Sequence, residues 1–223
     1  MTTALINTLQ QIDASALLAV NGAHCPYADS LMWLISGKLA WLPMIAALLW
    51  VLWRRGWRQM ALAVLALALA IALADQVSSS LIKPLVQRLR PTHNPSIMQL
   101  VHLVHDYRGG MYGFVSSHAA NAFGAATLLA MVVRQRHTAV ALVGWAAVVS
   151  YSRVYEGVHY PGDVVCGAVV GVAAALVAVW AYRKACRKWL GGRETAVPPA
   201  DAKLLTISIV ANLLILAIVA FFN

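Results

Sequence analysis

Long apolar runs recur along this 223-residue chain, and they restrict its fold more than any other feature of the sequence. A transmembrane α-helix needs about 20 predominantly apolar residues, and several of these runs reach that length. The pattern therefore predicts an all-α fold, a polytopic membrane bundle of about six transmembrane helices. The predicted spans cover about 29–53, 59–82, 117–133, 138–153, 161–182 and 204–221.

The composition supports a single integral membrane domain over residues 1–223. Apolar residues make up 61% of the chain and charged residues only 11%, whereas soluble domains contain about 45–50% and about 25%, respectively. Because so few charges cannot solvate a surface of this size, no soluble domain is predicted beside the membrane domain. Three scattered cysteines provide neither a disulfide framework nor the spacing of a zinc site.

The N-terminal segment 1–27 differs from the other runs because polar residues interrupt its apolar positions. Its apolar side chains recur at helical spacing, which favours an amphipathic helix lying in the plane of the membrane interface. A helix that caps the bundle is the alternative. The segment lacks the basic start of a cleavable signal peptide. The apolar positions are Leu5, Leu9, Ile12, Ala16 and Val20.

The positive charges are concentrated in the short connections between the predicted spans. Eleven Lys and Arg lie in the connections 54–58, 134–137 and 183–203, against five on the opposite side. Cytoplasmic loops are enriched in Lys and Arg, so this asymmetry places the first set, with the basic linker 183–203, in the cytoplasm. The net charge of +9 is therefore explained by topology, and nucleic acid is excluded as a partner. Both termini, including the last span in 204–223, then end on the outer face.

Three polar stretches, each at the end of an apolar run, would lie together on that outer face. In the first, Lys83 and Arg90 are two helical turns apart, and Pro91 predicts that their helix ends there. The guanidinium fork and the ammonium group suit phosphate oxygens. In the second, Ser116 starts a helix whose free N–H groups suit an anion, although serine commonly serves there only as an N-cap. The stretches are Lys83-x6-Arg90-Pro91, Ser116-Ser117-His118 and Ser152-Arg153-x5-His159-x3-Asp163.

The third stretch gives the strongest local signal. Pro161 suits the first position of a helix, which places Asp163 in the first turn, where a carboxylate is favoured. Asp163 lies four residues after His159, so it can accept the Nδ1 proton and leave Nε2 free to attack phosphorus. Together with Arg153, this spacing predicts phosphoryl chemistry rather than a structural histidine.

The three motifs resemble those of the type 2 phosphatidic acid phosphatase superfamily, membrane lipid phosphatases related to vanadium haloperoxidases. The family pattern is Lys-x6-Arg-Pro, Pro-Ser-Gly-His and Ser-Arg-x5-His-x3-Asp. The first and third motifs match fully within residues 83–163, whereas Val115 and Ser117 replace the Pro and Gly of the second. Ser117 would then supply the backbone N–H of that glycine, with less conformational freedom.

The resemblance implies a role for each motif residue and a reaction without a metal or another cofactor. His159 would be the nucleophile that forms a phosphohistidine, and Asp163 would orient it. His118 would protonate the leaving oxygen and later activate water. The cations would stabilise charge on the equatorial phosphate oxygens in place of a metal. The phosphate-binding residues would be Lys83, Arg90, Ser116, Ser117, His118 and Arg153.

Two charged residues, Lys38 and Asp75, lie away from the ends of predicted spans, where charge is costly and usually faces a cavity or a partner. Lys38 either faces the site, where it would serve a second phosphate, or snorkels to the outer interface. For Asp75, an ion pair with Lys83 or Lys38 is favoured over a chemical role.

A metal site is a minor alternative suggested by the long connection after the second span. Imidazole and carboxylate groups there would suit zinc or manganese. A position at the site entrance, or simple solvation, is favoured instead. The residues concerned are His93, His102, His105 and Asp106.

The predicted function is hydrolysis of a lipid-linked phosphate or diphosphate at the periplasmic or exterior face of a bacterial inner membrane. The lipid tail would enter between spans from the surrounding membrane lipids. Undecaprenyl diphosphate is the first choice, and lipid A, phosphatidylglycerophosphate and phosphatidic acid are alternatives. A lipid-phosphate transporter or flippase without hydrolysis is the alternative of another class, although no inverted repeat is obvious.

Overall fold

The fold of the described residues, 2–192 and 196–223 of this computed structural model, is helical and contains no β-strand. The all-α prediction is therefore confirmed. The helices are α1 (Thr2–Gly22), α2 (Pro26–Ser36), α3 (Leu42–Trp53), α4 (Trp57–Asp75), α5 (Lys83–Val86), α6 (Ser117–Val133), α7 (Arg136–Tyr155), α8 (Pro161–Leu190) and α9 (Pro199–Ala220).

Three helical segments of the described chain are long and apolar enough to cross a membrane, namely Trp57–Val86, α8 and α9. A fourth span results if α2 and the segment Leu39–Trp53, which are bent by 76° relative to each other, are taken together. The apolar helix α6 has 17 residues and is shorter. An integral membrane bundle is thus confirmed, whereas the count of six spans remains a prediction.

The first predicted span, 29–53, is broken at Gly37 and Lys38, although Pro43 is the residue in it that would predict a kink. Gly37 ends α2 with extended backbone angles, φ −72° and ψ 131°. Pro43 lies in the first turn of α3, where its missing N–H costs no helical hydrogen bond. Lys38 consequently lies exposed at a bend and not inside a continuous helix.

The second span is longer than predicted but ends earlier than its motif suggests. α4 continues through the π-helical segment Gln76–Ile82 into α5, which gives the 30-residue span Trp57–Val86. It ends there because Gln87 adopts the left-handed conformation, with φ 51°. The prediction that Lys83 and Arg90 share a helix is therefore wrong, since Arg90 lies in the following loop.

α6 occupies the middle of the bundle, where it packs against α4, α7 and α8. A Cβ atom added to Gly124 of α6 would lie 3.3 Å from the carbonyl oxygen of Gly171 in α8. Small residues of this kind let membrane helices approach closely. The packing brings the starts of both helices together, and the Ser116 N–H donates to the Asp163 carbonyl at 2.9 Å.

α8 extends eight residues beyond its predicted end at 182 and shortens the predicted linker 183–203. Basic residues assigned to that linker instead occupy the last turns of the helix, where the dipole favours cations. The connection to α9 covers 191–198, and Arg193 of the predicted linker lies outside the described residues. The cations on the helix are Arg183, Lys184, Arg187 and Lys188.

α1 is a helix, as its spacing predicts, and it packs against α7 and α8. Leu17 is fully buried in a small cluster with Val154 and Tyr160. In contrast, Leu9 and Ile12 are 57% and 60% exposed. Apolar side chains of α1 thus lie both against the bundle and on its exposed surface. The placement of α1 in the membrane interface remains a prediction.

Candidate active site

The three polar stretches converge through hydrogen bonds between each pair of them. Lys83 Nζ donates to Ser117 Oγ at 2.5 Å, which joins the first stretch to the second. Arg90 Nη1 donates to the Val158 carbonyl at 3.2 Å, which joins the first to the third. The bond between the start of α6 and Asp163 joins the second to the third. Residues far apart in sequence therefore meet in one place.

His159 lies in the short turn between α7 and α8, and its side chain is 1% exposed. Its backbone N–H donates to the Arg153 carbonyl at 3.2 Å, which fixes the turn. Burial, followed by the positive charges of Arg90, Arg153 and Lys83, lowers the pKa of His159 well below its usual value. The imidazole is therefore neutral and keeps the lone pair that a nucleophile needs.

His118 lies in the first turn of α6 and is half-buried. Its imidazole interacts electrostatically with Arg153, His159 and Arg90, which places both histidines in the same cluster of cations. Lys38 also acts on this imidazole from the bend after α2. The bend thus directs Lys38 to the site side of the bundle, in agreement with one of its two predicted placements.

Ser116 is the N-cap of α6 and is fully buried. Its Oγ accepts a hydrogen bond from the Ala119 N–H at 3.4 Å, so its hydroxyl has the common capping role.

Asp163 is fully buried but does not form the predicted short hydrogen bond with His159. Its Oδ2 lies 3.5 Å from His159 Nδ1, beyond the usual N–H···O range. The same oxygen accepts a hydrogen bond from the Tyr160 N–H at 3.1 Å. A Cβ atom on Gly113 would lie 2.9 Å from this oxygen, so a larger residue there would displace the carboxylate.

The other oxygen of Asp163 is bound by Arg88, which the sequence interpretation counted only as a topological charge. Arg88 Nη1 donates to Oδ1 at 2.7 Å, and Nη2 donates to Asp13 of α1 at 2.7 Å. Its guanidinium also lies 4.0 Å from the centre of the Tyr160 ring. The scarcity of cations on the outer side was the one sequence signal that could have identified it.

A chain of hydroxyl groups connects Lys83 with Asp75, which were expected to form an ion pair. Ser117 Oγ, the acceptor for Lys83, lies 2.9 Å from Ser79 Oγ. Ser79 Oγ donates to Asp75 Oδ1 at 3.3 Å. Among the described residues, Asp75 therefore reaches the ammonium group through two serines and not directly. The hydroxyl that replaces the family glycine is part of this connection.

Arg153 is engaged by Glu156, a residue that the sequence interpretation did not single out. The two side chains are 3% and 1% exposed, and their closest N···O distance is 2.5 Å. Arg153 also lies 5.5 Å from the centre of the Tyr107 ring. Burial, as the largest effect, raises the pKa of Glu156, and the charge of Arg153 opposes that effect.

The predicted alternative metal site is not assembled by the fold. His102 Nε2 instead lies 2.9 Å from Asp29 Oδ2, and His105 contacts Trp33, with ring centres 5.0 Å apart. His93 Nδ1 lies 3.0 Å from the neighbouring Thr92 hydroxyl.

A different set of donors, from His24, Asp29 and His102, lies within 4.8 Å of one another. However, the His24 and His102 rings are stacked at 3.7 Å and are 5° from parallel. The lone pair of an imidazole nitrogen lies in the plane of its ring, so two parallel stacked rings cannot both coordinate the same ion. The geometry supports a stacked pair that is hydrogen-bonded to Asp29.

An apolar groove of about 700 Å³ runs along the outside of α6, α7 and α8. Its upper end is formed by Val154 and Pro161, the sequence neighbours of Arg153 and of the helix start that holds Asp163. It follows α8 to Leu176, 15 residues further, which corresponds to about 22 Å of helix. One end of this apolar groove therefore lies close to the polar site in the chain.

Comparisons with known proteins agree with this geometry. The sequence model of the PAP2 superfamily matches residues 60–187. A "Lipid A 4'-phosphatase" of Bacteroides thetaiotaomicron is 44% identical over 170 residues, 75% of each chain. A protein of the same name from Porphyromonas gingivalis is 32% identical over 206 residues, 90% of this chain and 87% of that protein. The crystal structure of Aquifex aeolicus LpxE superposes with a TM-score of 0.59 at 25% identity, covering 74% of this chain and 93% of LpxE.

Proposed function

The chain belongs to the PAP2 superfamily and is a membrane lipid phosphatase, and from this premise we propose that its substrate is lipid A, from which it removes the 4'-phosphate. The observation that carries the proposal is the similarity to two relatives named for this activity, which together cover most of the chain. The comparisons give no support to undecaprenyl diphosphate, the first choice from the sequence. Both relatives are named as hydrolases, so the transporter alternative is not retained.

The proposed reaction starts with attack by Nε2 of His159 on the phosphorus atom. The neutral imidazole is supported by its lowered pKa. The bond between phosphorus and the sugar oxygen breaks, and His118 donates a proton to that leaving oxygen. The product of this half-reaction is a phosphohistidine and an alcohol group on the lipid. Asp163 stabilises the positive charge that develops on the imidazole.

In the second half-reaction, His118 accepts a proton from water as the water attacks the phosphohistidine. Inorganic phosphate leaves, and His159 returns to its neutral form. Lys83, Arg90 and Arg153 hold the equatorial oxygens in both steps, since charge on these oxygens must be stabilised throughout. No step requires a metal ion, and we expect turnover to persist in EDTA.

The lipid tail is proposed to occupy the apolar groove along α8 while the phosphate reaches the cations. An Ala168→Trp substitution would fill the groove, so we expect a raised KM for lipid A and an unchanged kcat/KM for a short-chain soluble phosphate ester. Ala211→Trp, on α9 and outside the groove, is the matched control. Equal effects of Ala168→Trp on both substrates would contradict this placement.

The substrate is tested with the protein purified in detergent and supplied separately with lipid A, undecaprenyl diphosphate, phosphatidylglycerophosphate and phosphatidic acid. We expect the fastest phosphate release from lipid A, and mass spectrometry of the product identifies which phosphate was lost. His159→Ala is expected to abolish release, whereas His137→Ala, an exposed change at the start of α7, is expected to retain it. Faster turnover of undecaprenyl diphosphate would overturn the substrate proposal. Full activity of His159→Ala would overturn the nucleophile.

We propose that the enzyme acts in a bacterial inner membrane, with the site facing the periplasm. The support is the bias of Lys and Arg towards the opposite end of the bundle, including the cations on the last turns of α8. Cysteine labelling with a membrane-impermeant reagent tests it. A cysteine in place of exposed Met111 should react in intact spheroplasts, and one in place of exposed Trp57 should not.

A further inference from the structure

Arg88 lies between two carboxylates, Asp13 and Asp163, each 75 residues away from it along the chain. One arm of its guanidinium donates to Asp163 at 2.7 Å, and the other donates to Asp13 at 2.7 Å. Its backbone is fixed as well, because the Arg88 carbonyl accepts a hydrogen bond from the Gly113 N–H at 2.9 Å. The side chain is 20% exposed, and those of Asp13 and Asp163 are 14% and 0% exposed. The planar fork of arginine suits such a bridge, whereas lysine offers only a single nitrogen.

Asp13 has a second contact with the same region of the molecule. Its Oδ1 accepts a hydrogen bond from the Gly162 N–H at 2.7 Å. That N–H belongs to the first turn of α8, where backbone donors have no partner inside the helix. A Cβ atom on Gly162 would lie 2.7 Å from Asp13 Oδ2, so glycine leaves the room that this carboxylate needs. Asp13 therefore holds both Arg88 and the start of the helix that carries Asp163.

We propose that Arg88 and Asp13 are positioning residues that act through Asp163 on the nucleophile His159, so that docking of α1 controls the rate of turnover. Arg88 occupies Oδ1 of Asp163 and thereby leaves Oδ2 directed at the His159 ring, 3.5 Å away. Asp13 holds the second arm of the guanidinium, which fixes the direction of the first. The inference rests on the proposed role of His159, but it assigns a catalytic contribution to the N-terminal helix.

The consequences are specific to the chemical step, because neither residue is among the proposed phosphate ligands. Hydrogen-bond partners that orient the ligands of a metal contribute about 10- to 100-fold to activity, and we expect the same range for the partners that orient Asp163. We expect Asp13→Asn to lower kcat about tenfold and Arg88→Gln about 100-fold, with KM within about twofold of wild type. Gly162→Ala should resemble Asp13→Asn, because its methyl group displaces the same carboxylate. Arg88→Lys should recover little, since a single ammonium nitrogen replaces the two guanidinium nitrogens that each bind one carboxylate.

A double-mutant cycle tests whether Asp13 acts through Arg88. Residues that act as a unit are strongly non-additive, so the Asp13→Asn/Arg88→Gln protein should have the kcat of Arg88→Gln alone. Asp29→Asn is the matched control, because Asp29 is a partly buried carboxylate at the start of α2 whose hydrogen-bond partners are His102 and Tyr155 rather than Arg88. We expect it to keep the wild-type kcat.

Each outcome separates this inference from the proposed function. A wild-type protein that releases no phosphate from any lipid phosphate contradicts the function itself. An active wild type whose Asp13→Asn variant keeps full kcat, or a cycle with additive effects, overturns the positioning role alone. If Arg88→Gln does not fold, thermal unfolding shows it. The positioning role is then tested by comparing the kcat of Asp13→Asn with that of Asp29→Asn, provided that the two proteins have equal Tm.

Discussion

Arg153 and Glu156 form a buried ion pair in which guanidinium Nη1 lies 2.5 Å from carboxylate Oε2. Two atoms of this pair, Arg153 Nε and Glu156 Oε1, have no hydrogen-bond partner among the described residues. Buried polar atoms are nearly always paired, so the Arg153 Nε–H is a donor that a phosphate oxygen is expected to use. The carboxylate also reduces the positive charge that a phosphate would meet.

We therefore expect Glu156→Gln to bind inorganic phosphate more tightly than the wild type. The substitution keeps a hydrogen-bonding side chain next to Arg153 but removes its negative charge. The inhibition constant of phosphate should fall about tenfold, which corresponds to ~1.4 kcal/mol. Product inhibition measured at several phosphate concentrations checks this. An unchanged constant would mean that the charge of Glu156 does not reach the bound anion.

Ser117 is expected to hold Lys83 in position for the phosphate. Its Oγ accepts a hydrogen bond from the ammonium group at 2.5 Å. A hydrogen bond to a charged group contributes ~1.5–3 kcal/mol, so Ser117→Ala should lower kcat/KM at least about tenfold. Ser79→Ala should have a smaller effect, because Ser79 reaches Lys83 only through Ser117. Equal effects of the two substitutions would contradict the view that Ser79 acts on Lys83 only through Ser117.

The helical fold was predictable from the sequence because each long apolar run has only one way to pair its backbone in a membrane. The breaks were not. The bend falls at Gly37 and Lys38, whereas Pro43, a residue type that commonly kinks a helix, lies in the first turn of α3. The end of the second span was missed for a similar reason, since Gln87 is not a residue that marks a left-handed turn.

The motif residues could be found because the spacing of the third motif is local, with His159 just before α8 and Asp163 in its first turn. The partners that hold them were not visible in the same way. Arg88 meets carboxylates 75 residues away in both directions along the chain. Glu156 was close in sequence to Arg153, but a glutamate in a turn reads as a solvated residue until its burial is known.

The stability of the protein is expected to fall as the pH decreases below neutrality, in part because of His159. Burial and three cations lower the pKa of this imidazole in the folded state, whereas the unfolded chain has a pKa of about 6.5. Below that pH the unfolded state binds a proton that the folded state does not, so protonation favours unfolding. The contribution of His159 to the free energy of unfolding is thus fully present above its pKa in the unfolded chain, and it is lost as the pH falls below that value.

The Tm of His159→Gln should therefore decrease less than the Tm of the wild type when the pH is lowered from about 7.5 to about 5. His137→Gln, which changes an exposed imidazole, should follow the wild type. Thermal unfolding in detergent across this range gives the comparison. If Tm depends on pH in the same way in His159→Gln and in the wild type, a group other than His159 causes the loss of stability.

The contact between α6 and α8 should tolerate no added volume, because it fixes the two helix starts that carry His118 and Asp163. A Cβ atom on Gly171 would lie 2.8 Å from the backbone nitrogen of Gly124, which cannot move aside as a side chain can. Gly171→Ala is expected to reduce the free energy of unfolding by ~1–3 kcal/mol, as overpacking typically does. Gly144→Ala in α7 is the matched control, since nothing lies within 4 Å of its Cβ. There, alanine should stabilise the helix by ~0.5–1 kcal/mol. Opposite shifts in Tm are thus expected from the same substitution, and a Gly171→Ala protein as stable as the wild type would mean that the two helices can separate without cost.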